Sequence, residues 1–282
     1  MASMISRLVT AAAVMAQTQV SAPAIAQVPS PAGASSSWSI DYGERYCALV
    51  RQSADPAAPV LTLRMTPGRS SAELLVMGRK WDTGLVRRIL EGEIVLLPGG
   101  TRVKAELIPM GTQKDTLNGV AVTSVPPNLL DEIAANDTFS LRYRDKPVAE
   151  FATPSARKAI KALHDCTDRL LAAWGVDVQA EKTFRASAMA IRPDWFTPDL
   201  YPKSALSSGI SGSVTAVLTV RTDGRVGDCK VVGPSGDKTL DDVTCATFLT
   251  NGRFSPAIDA AGKPAESKLV MMINWRVPRF GN

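Results

Sequence analysis

Gly212-Ser-Val-Thr-Ala-Val-Leu-Thr-Val-Arg-Thr-Asp-Gly-Arg-Val-Gly-Asp-Cys-Lys-Val-Val232 is the stretch on which the fold turns. Val214, Ala216, Leu218 and Val220 recur at every second position, the period of a strand with one buried face. Thr222-Asp-Gly-Arg225 interrupts the alternation, and Asp-Gly supplies the positive φ that a tight hairpin requires. Val226–Val232 is then the returning strand, ended by Gly233-Pro-Ser-Gly236. Downstream, Leu240, Val243, Thr244, Thr247 and Phe248 are spaced for one helix face, with Cys245 beside it. Lys268–Val277 alternates again: Leu269, Met271, Ile273, Trp275 and Val277 face one way, Val270, Met272, Asn274 and Arg276 the other. Upstream, Tyr201-Pro-Lys-Ser-Ala205 reads as a helix entry that Gly209 breaks. The order helix, strand, strand, helix, strand over residues 190–280 predicts a three-stranded antiparallel sheet with both helices on one face.

Residues 38–177 read as a second, β-rich domain closed by a helix, which makes the fold class α+β. Short strand-like runs alternate with turn residues: 58–65, 72–77, 92–97, 102–108, 119–123, and the hairpin 139–143 with 148–151. Their spacing predicts a meander or a small sandwich. Asn128–Ala134 reads as a short helix between strands. Thr153 followed by Pro154 is the expected cap and first position of the closing helix. Ile160, Leu163, Thr167, Leu170, Leu171 and Trp174 form its apolar stripe, and Gly175 sits where a terminating glycine belongs. Residues 178–189 are the expected linker.

The chain has 282 residues with 45% apolar and 21% charged side chains, a globular composition that excludes wholesale disorder. Lys and Arg exceed Asp and Glu by 32 − 27 = 5, and the basic residues are scattered. A nucleic-acid binder shows a basic stripe, so no nucleic-acid partner is expected. Residues 1–26 carry Arg7, an apolar run from Leu8 to Ala16, and Ala24-Ile-Ala26. This is the layout of a secretory signal peptide cleaved between Ala26 and Gln27. The run is about half the ~20 residues that a spanning helix needs, so the mature chain is expected to have no transmembrane helix. An uncleaved N-terminal anchor is the alternative. Residues 27–37 form a Pro/Ser-rich leader, expected to be disordered.

Cys47, Cys166, Cys229 and Cys245 would remain after export, where an even number reads as disulfides. Three connectivities are possible, and the spacing favours Cys47–Cys166 and Cys229–Cys245. A metal site built on His164 and Cys166 is the rival, but two ligands without a second pair are poor zinc donors. No metal or cofactor is expected. Ser155–Lys158 and Ser235–Lys238 have the S-x-x-K spacing of penicillin-binding enzymes, but S-D-N and K-T-G do not follow. Asp165/Asp168 and Asp241/Asp242 read as solvated helix carboxylates. The chain is therefore expected not to be an enzyme.

Several residues of the C-terminal region resemble a known family. Tyr201-Pro202 with Ala205, Gly212-x-Val214, Asp223-Gly-Arg-Val226, Leu240-Asp241, Arg253-Phe-Ser-Pro-Ala257 and a strand containing Trp275 are similar to the C-terminal domain of TonB-family energy transducers. They stand in family order with family spacing. The Cys229/Cys245 pair also resembles a variant of some members. The resemblance implies a periplasmic protein–protein module of a Gram-negative bacterium, linked to transmembrane transport. It implies a protein partner, the TonB box of an outer-membrane receptor, added as an extended strand beside the domain's last strand. In this sequence that edge maps to Lys268, Val270, Met272, Asn274 and Arg276. A complete transducer also has an uncleaved membrane helix and a long Pro-rich spacer. Here a β-rich domain stands in the spacer's place, so the resemblance implies the domain fold and strand binding rather than energy transduction. The alternative is a structural or envelope-interaction protein that uses the TonB-like domain as a scaffold.

Overall fold

The computed structural model describes residues 37–277 except 54, 56, 68–70, 80–84, 86–87, 112–116, 127 and 193. The signal-peptide reading, its Ala26/Gln27 cleavage site and nearly all of the leader therefore lie outside the described residues.

Nine strands build the N-terminal half: β1 (Ser37–Tyr42), β2 (Cys47–Gln52), β3 (Val60–Met65), β4 (Ala72–Arg79), β5 (Leu90–Leu97), β6 (Thr101–Met110), β7 (Leu117–Val125), β8 (Thr138–Tyr143) and β9 (Lys146–Ala152). Every pairing is antiparallel, in the order β1-β2-β3-β4-β7-β6-β5-β8-β9. Strand β6 pairs with β5 through Thr101–Leu107 and with β7 through Ile108–Met110, so it joins the two parts of the sheet. The alternating apolar residues of both parts enter one core, which includes Leu61, Leu63, Leu74, Ile94, Leu107, Val120, Phe139 and Leu141. Each such fully buried side chain contributes about 1.5–3 kcal/mol relative to exposure. The sequence predicts a meander or a sandwich. The structure has one nine-stranded sheet whose two ends approach each other: the Arg51 Nε of β2, the strand next to β1, donates to the Ala152 carbonyl of β9 at 3.1 Å. The sheet opens with a β1–β2 pair, Trp38 opposite Arg51, which the sequence reading did not identify.

Helix α1 (Asn128–Ala135) packs on α2 (Ala156–Ala173), and α2 lies across β1 and β2. The expected start of α2 is corrected. Thr153 does not cap it, because its hydroxyl donates to the Asn136 carbonyl at 2.8 Å. The Pro154 carbonyl accepts the Trp38 indole N–H, and Ser155, at φ 61°, precedes the first helical residue. The apolar stripe is in place, with Ile160, Leu163 and Thr167 buried. Gly175 follows the helix at φ 89°, as its sequence position implies. A disulfide joins Cys47 on β2 to Cys166 on α2, Cα atoms 6.1 Å apart.

Beyond α2, the described elements are α3 (Val178–Glu181), β10 (Met189–Ala190), a 3-10 turn (Pro198–Leu200), α4 (Lys203–Ser207), β11 (Gly212–Val220), β12 (Val226–Gly233), α5 (Lys238–Asn251), β13 (Phe254–Ser255), β14 (Ala257–Ile258), β15 (Pro264–Ala265) and β16 (Ser267–Trp275). The principal sheet has the antiparallel order β12-β11-β16. Gly224 turns the β11–β12 hairpin at φ 76°, and a Cβ there would overlap the Phe254 carbonyl oxygen. Only glycine meets both demands. Helix α5 crosses β11 and β12, and a second disulfide ties Cys229 of β12 to Cys245 of α5, Cα atoms 5.6 Å apart. The described residues fall within one compact unit.

Candidate functional site

The three-stranded sheet presents two differently covered faces. On one, Ala216, Leu218 and Val220 of β11 pack with Phe248, Phe254, Leu269, Met271 and Ile273. At its end, Trp275 meets Tyr201 and Phe196 edge-to-face, ring centroids 5.2 and 5.8 Å apart. The Trp275 indole donates to Thr244 Oγ1 at 2.9 Å, and that hydroxyl donates to the Leu240 carbonyl at 2.7 Å. The Tyr201 hydroxyl donates to the Ile210 carbonyl at 2.6 Å. Buried polar atoms of these rings are thus satisfied, and Trp275 fixes the end of β16. Helix α5 is fixed by Asp237, whose carboxylate accepts the Thr239 and Leu240 N–H groups. The Thr239 hydroxyl, then those two amides, hold the Asp237 carboxyl below its ordinary range.

The other face is covered from the N-terminal half. Val217 of β11 and Val270 of β16 are buried together with Trp174 and Val176, which follow α2. This contact fixes where β16 lies.

Strand β16 has a described strand, β11, on one side only. The Lys268 N–H points to the other side, where it donates to Glu181 Oε1 at 2.6 Å. Main-chain groups alternate in direction along an antiparallel strand. Val270, Met272 and Asn274 therefore direct theirs the same way as Lys268. Val270 and Asn274 make no main-chain hydrogen bond on that side to a described residue. The five expected edge positions are thus placed as follows. Lys268, Val270, Met272 and Asn274 share the outward side, and Arg276 lies one residue past the end of β16. Val270 is buried, whereas Lys268, Asn274 and Arg276 are exposed. Lys268 does not offer its amide, since Glu181 already holds it. Glu181 lies in the expected linker, and its role was not visible in the sequence. The Trp195-Phe196 doublet was also missed. Both rings pack on Phe248, although two adjacent aromatics ahead of Tyr201 were a usable signal.

The residues weighed for catalysis have other work. Ser235 Oγ donates to the Asp237 carbonyl and accepts the Asp237 N–H, and Lys238 pairs with Asp242. Asp241 accepts the Ser235 N–H, Asp165 pairs with Lys161, and Asp168 pairs with Lys182. Lys161 holds the Asp165 carboxyl below its ordinary range. Ser155 and Lys158 are both exposed, at the start of α2. No cluster of three or more metal-ligating side chains occurs among the described residues.

No curated protein matches the chain. Residues 197–277, which hold the aromatic anchors, the hairpin, α5 and β16, match the family model of the Gram-negative bacterial TonB protein C-terminal, so this segment is similar to a TonB C-terminal domain.

Proposed function

We propose that this chain is a periplasmic TonB-like protein whose C-terminal domain captures an extended segment of a protein partner along the outer side of β16, in a process linked to transmembrane transport. The partner is the TonB box of an outer-membrane receptor. One observation carries the reading: β16 has a described strand on one side only, and the outward main-chain groups of Val270 and Asn274 have no described partner. A strand edge of this kind pairs with an extended peptide through main-chain hydrogen bonds. The domain match and the Cys229–Cys245 bond support the same reading, the latter because disulfides persist in oxidising compartments. In this proposal residues 1–26 are the export signal, 27–37 a leader, 38–177 and 190–280 two domains, and 178–189 their linker. No described helix is long and apolar enough to cross a membrane.

A second reading, a structural envelope protein with the C-terminal domain as scaffold, is favoured by the burial of Val217 and Val270 under Trp174 and Val176. The two separate in a titration of residues 27–282 with a synthetic peptide carrying a receptor TonB box. Strand addition predicts backbone amide shifts centred on 270–276. Absence of shifts at millimolar peptide supports the scaffold.

A further inference from the structure

The segment after α2 is fastened to β16 at three points. Gly175 turns the chain, and its carbonyl accepts from Lys268 Nζ at 2.8 Å. Trp174 and Val176 bury Val270 from one face of the sheet. Asp177 then caps α3, accepting the N–H groups of Gln179 and Ala180 at 3.1 and 3.0 Å. That single helical turn delivers Glu181, whose Oε1 takes the outward N–H of Lys268 at 2.6 Å. The side chain of Glu181 thus stands where the backbone carbonyl of an added strand would stand.

We propose that Glu181 is a register stop: it keeps an incoming strand off Lys268, so that main-chain pairing on β16 begins at Val270. The inference rests on the strand-addition reading. An ionised acceptor makes a hydrogen bond roughly twice as strong as a neutral one. A peptide carbonyl arriving at Lys268 would have to displace that carboxylate and slide past α3, whereas at Val270 and Asn274 it displaces no described group. Register matters because a one-residue slip reverses which face every side chain of the added strand occupies. An edge with a fixed first position therefore selects among peptides by the side chains that follow.

The test is residue-resolved amide exchange on residues 27–282 in the wild type, E181A and E181Q, with and without the TonB-box peptide. In the free wild type the Lys268 amide should exchange at least about tenfold more slowly than in E181A, a difference equivalent to one hydrogen bond. E181Q keeps an acceptor and should follow the wild type. With peptide, the wild type should gain protection at Val270 and Asn274 and none at Lys268, while E181A should gain it at all three. Equal Lys268 exchange in free wild type and E181A overturns the inference. So does peptide protection of Lys268 in the wild type, or its absence in E181A while Val270 and Asn274 are protected; in these two cases strand addition itself stands. Lack of protection at Val270 and Asn274 in every variant sinks strand addition, and the register stop with it.

Discussion

Both halves of the molecule are antiparallel sheets crossed by a helix, but they treat their outer strands differently. In the N-terminal half the sheet is drawn toward closure. Arg51 bonds to Ala152 across the gap, the Trp38 indole reaches Pro154, and α2 packs along β1 and β2. In the C-terminal half, β16 carries a described strand on one side, with a carboxylate at its first outward amide. Unpaired strand edges are templates for further pairing, which proteins either cover or use. The contrast is that the ends of the first sheet are tied to each other and to the segment before α2, whereas β16 is met on its outer side by the Glu181 carboxylate at Lys268.

The largest expected effect concerns the staples of the two halves. Cys47–Cys166 closes a separation of 119 residues and Cys229–Cys245 one of 16. Chain entropy then makes the first bond worth about 4–5 kcal/mol and the second about 3. In urea unfolding, C47A/C166A should therefore lose more stability than C229A/C245A. The reverse order would mean that the N-terminal half does not depend on α2 being pinned across its sheet.

A smaller effect isolates the edge. The Asn274 N–H points away from β11, so proline there removes a donor from the outward side without removing a rung of the β11–β16 ladder. N274P should weaken peptide binding about tenfold or more, with the domain still folded by circular dichroism. Met271 directs its N–H toward β11, and M271P should unfold the C-terminal sheet instead. Equal peptide affinity of N274P and the wild type would remove the functional contrast between the two sheets.

The smallest effect is electrostatic. Burial raises the Glu181 carboxyl above its ordinary pKa, and the Asp177 charge adds to this; the Lys268 amide and ammonium pull it partly back. A raised native pKa means that the folded state holds the proton more tightly. The associated stabilisation is complete below the unfolded pKa and is lost as pH rises through the raised folded one. E181Q cannot titrate, so its stability relative to the wild type should rise as pH rises through that window. A flat or falling difference in denaturation midpoint would contradict the assignment.

The C-terminal fold was legible because its signals are local. Asp223-Gly224 names the hairpin, and the alternation from Val214 to Val220 and from Leu269 to Trp275 names the faces. The strands of the N-terminal half were also largely visible one by one. Their order was not, because β4 pairs with β7 and β5 with β8, and no local pattern encodes which distant strand is a partner. The start of α2 was misplaced because Thr153 satisfies Asn136, a residue 17 positions earlier. At the edge, period two was enough to group Lys268, Val270, Met272 and Asn274. Glu181 was not, because its meeting with Lys268 spans 87 residues and depends on how α2 docks against the second sheet.

The central claim is that β16 receives a foreign strand on its outer side. The most direct measurement is the pattern of intermolecular Hα and amide NOEs between the TonB-box peptide and residues 27–282. The account predicts a ladder of main-chain contacts from Val270 to Asn274. Contacts confined to β12 or α5, or a bound peptide that makes no main-chain ladder, would contradict it.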